Sequence, residues 1–169
     1  MMIVRPENPE DSDAIRQVVT KAFGRTDEAD LVDALRAHGK ALLSLVATDG
    51  DRVVGHILFS RVTIEPEPEG VSAAGLAPLA VLPEFQNQGI GSLLTRAGLE
   101  ECRGADFDCV FVLGHPEYYP RFGFVPASKY KIKSEYPVRD EFFMVIELRE
   151  GALAGRRGTA RYQPEFDEV

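Results

Sequence analysis

The chain has 169 residues, 44% hydrophobic and 27% charged, which fits one soluble globular domain with a real core and room for a short appendage. Its formal net charge of -8 comes without a basic run, so a nucleic-acid partner has no electrostatic footprint. No apolar run approaches the length of a membrane span and the N-terminus lacks a basic-then-apolar signal, so a cytoplasmic protein with no membrane partner is expected.

Met2–Arg5 reads as a short first strand, and Asn8-Pro9 as a cap with proline in the first helical turn. Ile15, Val18, Val19, Ala22 and Phe23 form an apolar stripe at helical spacing that Gly24 ends. A second helix is expected over 27–38, with Gly39 past its end and His38 as a satisfied, half-exposed side chain. Residues 41–48 and 52–64 are strand patterns joined at Asp49-Gly50, a hairpin signal, with Gly55 marking a bulge. His56 is read as a hydrogen-bonded strand histidine, with a pocket-facing role left open. Residues 65–70 (Glu-Pro-Glu-Pro-Glu-Gly) are expected to project as a loop.

The next strand spans 73–82 and contains Pro78, which cannot donate to a neighbour, so this strand should part from one neighbour near its middle. It leads through Pro83 and Gln86-Asn87-Gln88-Gly89 into an amphipathic helix with Ile90, Leu93, Leu94 and Ala97 on one face. Strand, glycine-bearing turn and helix start make a phosphate cradle. The first helical N–H groups lack internal partners, and the glycines admit an anion to the backbone. A Walker loop is excluded because no lysine follows Gly91, and a dinucleotide fingerprint because Leu94 stands where its third glycine belongs.

The helix should stop at Gly104, and 109–113 is a continuous apolar run of buried-strand type. Cys102 and Cys109 have no metal spacing and are read as two buried thiols in a reducing compartment. Gly114-His115-Pro116 breaks the run ahead of Glu117-Tyr118-Tyr119-Pro120-Arg121-Phe122-Gly123-Phe124. Residues 130–133 and 142–148 suggest further strands. The tail from Gly155 lacks periodicity, so residues 1–150 are taken as the domain and 151–169 as an arm packed on it or at an oligomer contact.

Gln86-x-x-Gly89-x-Gly91 after Val81-x-Pro83 resembles the pyrophosphate loop of the GNAT superfamily of acyl-CoA N-acyltransferases. Tyr119-x-x-Phe122-Gly123-Phe124 resembles the second motif of that superfamily, and the form G-x-P-x-Y-Y-x-R-F-G-F that of a predicted N-acetyltransferase subgroup. The resemblance implies an α/β fold, with a mixed six- or seven-stranded sheet split between strands 4 and 5 and flanked by helices. It implies acetyl-CoA as cosubstrate and no metal. Main-chain groups of Leu79, Ala80 and Val81 would hold the pantetheine arm. Asn87, Gln88, Gly89, Ile90, Gly91 and Ser92 would wrap the pyrophosphate. Tyr119 would be the catalytic residue, a phenol that protonates the leaving thiolate, with Tyr118 only packing.

The acceptor would be a small-molecule or peptide amine. Dimerisation is common in the superfamily, so a homodimer stays open. The glutamate that many relatives carry on the fourth strand is replaced by Gly75. His115, His56 and water relays to the 65–69 carboxylates remain as bases, and none is singled out. The expected function is acetyl transfer to a primary amine in a ternary complex. The alternative is a CoA-binding sensor or interaction module without turnover.

Overall fold

A computed structural model describes residues 1–169. The helices are α1 (Ser12–Phe23), α2 (Asp27–Ala37) and α3 (Ile90–Gly104). The strands are β1 (Met2–Pro6), β2 (Leu43–Asp49), β3 (Arg52–Glu65), β4 (Ala73–Val81), β5 (Cys109–Leu113), β6 (Val125–Pro126), β7 (Ile132–Ser134), β8 (Phe143–Glu147) and β9 (Gly158–Arg161). Residues group into two compact units, and β3, β4 and α3 each run from one into the other. No helix is long and apolar enough to cross a membrane.

The first unit comprises Met1–Ser60, Ala77–Gly98 and Pro164–Val169. Its strands lie in the order β1-β2-β3-β4, with β1/β2 and β2/β3 antiparallel. α1 buries Ile15, Val18 and Val19 as its periodicity predicts, whereas Phe23 at the helix end is 41% exposed. Gly24, left-handed at φ 72°, closes α1 by donating its N–H to the Thr20 carbonyl at 2.9 Å. The β2–β3 hairpin turns at Gly50, and its register slips so that Ala47 faces Gly55 while Thr48 faces Val53. Val54 is therefore the extra residue, and its carbonyl accepts the Leu82 N–H at 2.9 Å.

Two glycines seat α3 on β3. A Cβ at Gly55 would lie 2.9 Å from Leu94 Cδ1 and 3.2 Å from Ile90 Cγ2. A Cβ at Gly98 would press into the buried ring of Phe59, 2.6 Å from its Cζ. Within this unit the buried positions of α3 are consequently Ile90, Leu94, Thr95 and Gly98, while Leu93 is 44% exposed. The expected stripe through Leu93 is thus rotated, because the glycines at the contact carry no hydrophobic signal to be read from sequence. The final turn, Pro164–Glu168, docks on α2. There Glu165 meets Lys40 at 2.9 Å and His38 Nδ1 at 2.6 Å, and these partners hold its carboxyl down to about 2.

The second unit comprises Arg61–Leu76 and Leu99–Gln163. Its strands run β3-β4-β5-β8-β6, with β9 on β3 and β7 on β9. β5 is buried from Cys109 to Val112, as an apolar run predicts for a strand covered on both faces. Asp108 receives the Ser72 N–H at 2.9 Å and pairs with Arg149 at 2.9 Å, which sets the start of β4 beside β5. The parallel β4/β5 register covers Ala73–Gly75 against Cys109–Phe111 and ends there, three residues before Pro78.

Nine strands stand where six or seven were expected. The additions are the two- and four-residue pieces β6 and β9, too short to show a period of two. The 130–133 segment is likewise split. A 3-10 turn ends at Tyr130, Lys131 is left-handed at φ 60°, and β7 begins at Ile132. The 65–70 loop is tethered rather than projecting, since Arg156 donates to the Glu69 carbonyl at 3.2 Å. Cys102 and Cys109 are unbridged, and burial pushes each thiol up to about 12.

Candidate active site

The cradle residues all lie in the first unit. On β4, Ala80 is buried while Leu79 and Val81 are half-buried on the opposite face, the alternation of a strand. The chain turns through Pro83–Phe85, with the Phe85 N–H on the Leu82 carbonyl at 2.8 Å. The Gln86 side chain donates to the Val81 carbonyl at 3.0 Å, and Gln88 donates to the Glu84 carbonyl at 3.3 Å. Gln86 is therefore a staple between the loop and the strand end. One lone pair of the Val81 carbonyl, expected to serve a ligand, is already taken.

Asn87 and Gly89 both have positive φ, 63° and 87°. Residues Gln86–Gly89 are exposed, and a Cβ at Gly89 would meet nothing within 4 Å. The first bond of α3 runs from the Leu93 N–H to the Gly89 carbonyl at 3.0 Å, so the amides of Ile90 and Gly91 precede the helical ladder. Ile90 points its side chain inward against Gly55, leaving its backbone on the turn. Thr95 Oγ1 donates to the Gly91 carbonyl at 2.8 Å and steadies the first turn. This is an open, positively polarised backbone surface of the kind that binds phosphate.

Tyr119 lies in the second unit, at the start of the 3-10 turn Tyr119–Phe122, which left-handed Gly123 closes. Its ring is T-shaped on Tyr118 at 5.0 Å and on Phe124 at 5.6 Å. Gly114 leaves room for that ring, since a Cβ there would lie 2.8 Å from Tyr119 Cδ2. Burial raises the phenol's pKa above its usual value, so it keeps its proton at neutral pH. Tyr118 packs, as expected, with the Arg121 guanidinium 4.5 Å from its ring centre.

Of the base candidates, His115 is exposed, and its carbonyl receives the Tyr118 N–H at 3.1 Å. His56 is fully buried with Nε2 2.8 Å from Ser44 Oγ. The Ser44 hydroxyl proton goes to Glu7, so Nε2–H donates to Ser44 and Nδ1 is left without a partner. Burial drives the His56 pKa down from 6.5 to about 4, opposed by Glu7 and aided by Arg36. It is a neutral core residue rather than a pocket-facing base.

The unfolded chain protonates His56 below about 6.5, whereas the folded chain resists until about 4. Stability should therefore fall as pH drops through that window, by on the order of 3 kcal/mol at its lower end. Melting temperatures between pH 7 and 4 should show this slope, and His56→Gln should flatten it.

Gly75 has no space for the glutamate of relatives. A Cβ there would lie 2.6 Å from Tyr162 Cε2 and 2.8 Å from Val62 Cγ2. Tyr162 is itself fixed by its N–H on Glu135 at 2.5 Å, and its ring lies 6.2 Å from that of Tyr136. Sequence reading missed Tyr162, because it follows a four-residue strand and sits far along the chain from Gly75.

The description "Acetyltransferase (GNAT) domain" matches residues 3–127. The chain is 46% identical to YjhQ of Escherichia coli K12, named as an uncharacterized N-acetyltransferase, over 78% of this chain and 74% of that one. It is 34% identical to YhbS of the same strain, also named as an uncharacterized N-acetyltransferase, over 98% and 99%. The crystal structure of E. coli YhbS in complex with CoA superimposes with a TM-score of 0.93, covering 98% of this chain and 92% of that one. A GNAT family acetyltransferase from Brucella melitensis in complex with acetyl-CoA, 36% identical, superimposes at 0.83 over 99% of each chain. The chain belongs to the GNAT family of N-acetyltransferases.

Proposed function

We propose that the protein transfers the acetyl group of acetyl-CoA to a primary amine, of a small molecule or of a protein, by direct attack in a ternary complex. The observation that carries this is the open turn Asn87–Gly91, whose glycine and unladdered amides fit a pyrophosphate. Two relatives of similar fold are complexes with CoA and acetyl-CoA. Asn87, Gln88, Gly89, Ile90, Gly91 and Ser92 hold the pyrophosphate, and main-chain groups of Leu79, Ala80 and Val81 hold the pantetheine arm. β4 outruns its β5 register, which fits backbone groups given to a ligand.

The amine nitrogen bonds to the thioester carbon, the carbon–sulfur bond breaks, and Tyr119 gives its proton to the departing sulfur and takes one back from water. The proton shed by the amine goes to water, because Gly75 and Tyr162 leave no carboxylate on that stretch of β4. Positioning of the two reactants supplies most of the remaining acceleration. The buried unbridged thiols fit a reducing, cytoplasmic setting.

That same filling of the glutamate position by Tyr162 favours a second reading, a CoA-binding sensor without turnover. Calorimetric titration with acetyl-CoA, CoA and NAD, followed by thiol release across a panel of amines, separates the two. Acetyl-CoA binding without NAD binding, together with thiol release, is the expected result. Binding without release on a broad panel favours the sensor, and no CoA binding ends both readings.

A further inference from the structure

We infer that the second unit carries a separate binding site for a small molecule with at least two phosphate or carboxylate groups. The site is a cavity of about 600 Å³ lined by Lys129, Lys131, Arg156 and Arg157, together with Pro66 and a single carboxylate, Glu67. That volume falls in the range of small-ligand pockets. Four cations around one hollow are out of keeping with a chain of net charge -8.

Most arginines elsewhere face carboxylates, as Arg5 does Asp11, Arg16 Asp30 and Arg36 Glu7, while Arg61 and Arg121 lie over the rings of Phe107 and Tyr118. None of the four lining cations forms an ion pair, although Arg156 lies within the field of Asp108. Four like charges set against one carboxylate repel one another, so the arrangement costs free energy that an anion would recover.

The backbone builds this cluster. Lys131 is held left-handed at φ 60°, and its carbonyl accepts the Gly158 N–H at 3.1 Å, which sets Arg157 beside it. Gly158 permits that crossing, because a Cβ there would collide with the Glu65 carbonyl. Arg156 is oriented by its bond to the Glu69 carbonyl, and Gly70 lets the loop pass 2.6 Å from its Nη2 at the position a Cβ would take. Guanidinium and ammonium groups gathered in this way suit phosphate or carboxylate oxygens. The cavity shares no residue with the turn Asn87–Ser92.

Two sources share this chemistry: an acceptor that carries the anion next to its amine, or a separate anionic effector. Calorimetric titration with inorganic pyrophosphate at low ionic strength tests the site. Wild-type protein should bind, and Lys131→Gln with Arg157→Gln should weaken binding at least about tenfold. Both side chains are exposed, so this double variant should fold with a melting temperature at or slightly above that of wild type, as the repulsion is relieved, and keep its CoA affinity. Gly91→Asp should show the reverse pattern, with CoA binding lost and pyrophosphate binding kept.

Absent wild-type binding, or equal pyrophosphate affinity in wild type and the double variant, overturns the site. A loss of pyrophosphate binding in Gly91→Asp alone also overturns it. Failure of CoA to bind the wild type strikes the acetyltransferase reading instead and leaves this comparison intact. Thiol release then names the source. An anionic acceptor gives phosphate-bearing amines a KM at least about tenfold below their neutral analogues, a gap the double variant removes. An effector changes the rate without competing with the amine, and the double variant removes that change.

Discussion

Gly91→Asp should lower CoA affinity roughly a thousandfold while leaving the melting temperature almost unchanged, because a like charge facing a phosphate costs several kcal/mol. Gly91 is the second residue of α3, where an aspartate is favoured by the helix dipole and accepted by the first-turn geometry. The substitution therefore does no harm to the helix as such. It puts a carboxylate on the turn where the backbone N–H groups of Ile90 and Gly91 precede the first helical bond. Titration of CoA against the folded variant reads the effect. Unchanged affinity would remove the pyrophosphate from this turn. A collapse in melting temperature would mean that Gly91 is needed for packing, and Gly91→Ala would then separate loss of the glycine from gain of the charge.

For Tyr119→Phe, kcat should fall roughly a hundredfold to a thousandfold with CoA affinity nearly retained, the usual range for loss of a positioned proton donor. Phenylalanine keeps the edge contacts with Tyr118 and Phe124 and the space that Gly114 leaves for the ring. Only the hydroxyl is lost. Burial keeps that hydroxyl protonated well into alkaline solution, which suits a donor and rules it out as a base near neutrality. An unchanged kcat would take the proton transfer away from Tyr119. Parallel losses in kcat and in CoA affinity would make it a binding residue.

Much of the cradle was legible in the sequence because its parts are local. Strand, proline stop, glycine turn and helix start follow one another between Leu79 and Leu94, and each is set by its own residues. The Tyr119 turn, with Pro120 inside it and Gly123 at its end, is local in the same way. So are the Asp49-Gly50 hairpin, the Gly24 stop and the buried run of β5. The family resemblance rested on these short-range signals, and the match over residues 3–127 agrees with it.

What stayed hidden depends on residues far apart in the chain. Gly55 read as a bulge, yet it and Gly98 decide which face of α3 meets β3, because only a missing Cβ admits Leu94 and Phe59 so closely. Gly75 read as a missing base, and the fold explains it as the place made for the Tyr162 ring. Lys131 read as part of a strand and Arg157 as part of a tail without periodicity, and a single backbone bond at Gly158 brings them to one cavity. The sequence by itself determined the family and the strand–turn–helix that carries Gly89 and Gly91, since local geometry needs only neighbouring residues. Tertiary structure alone decided the filling of Gly75 and the gathering of the cations, because close packing and charge proximity exist only after distant segments meet.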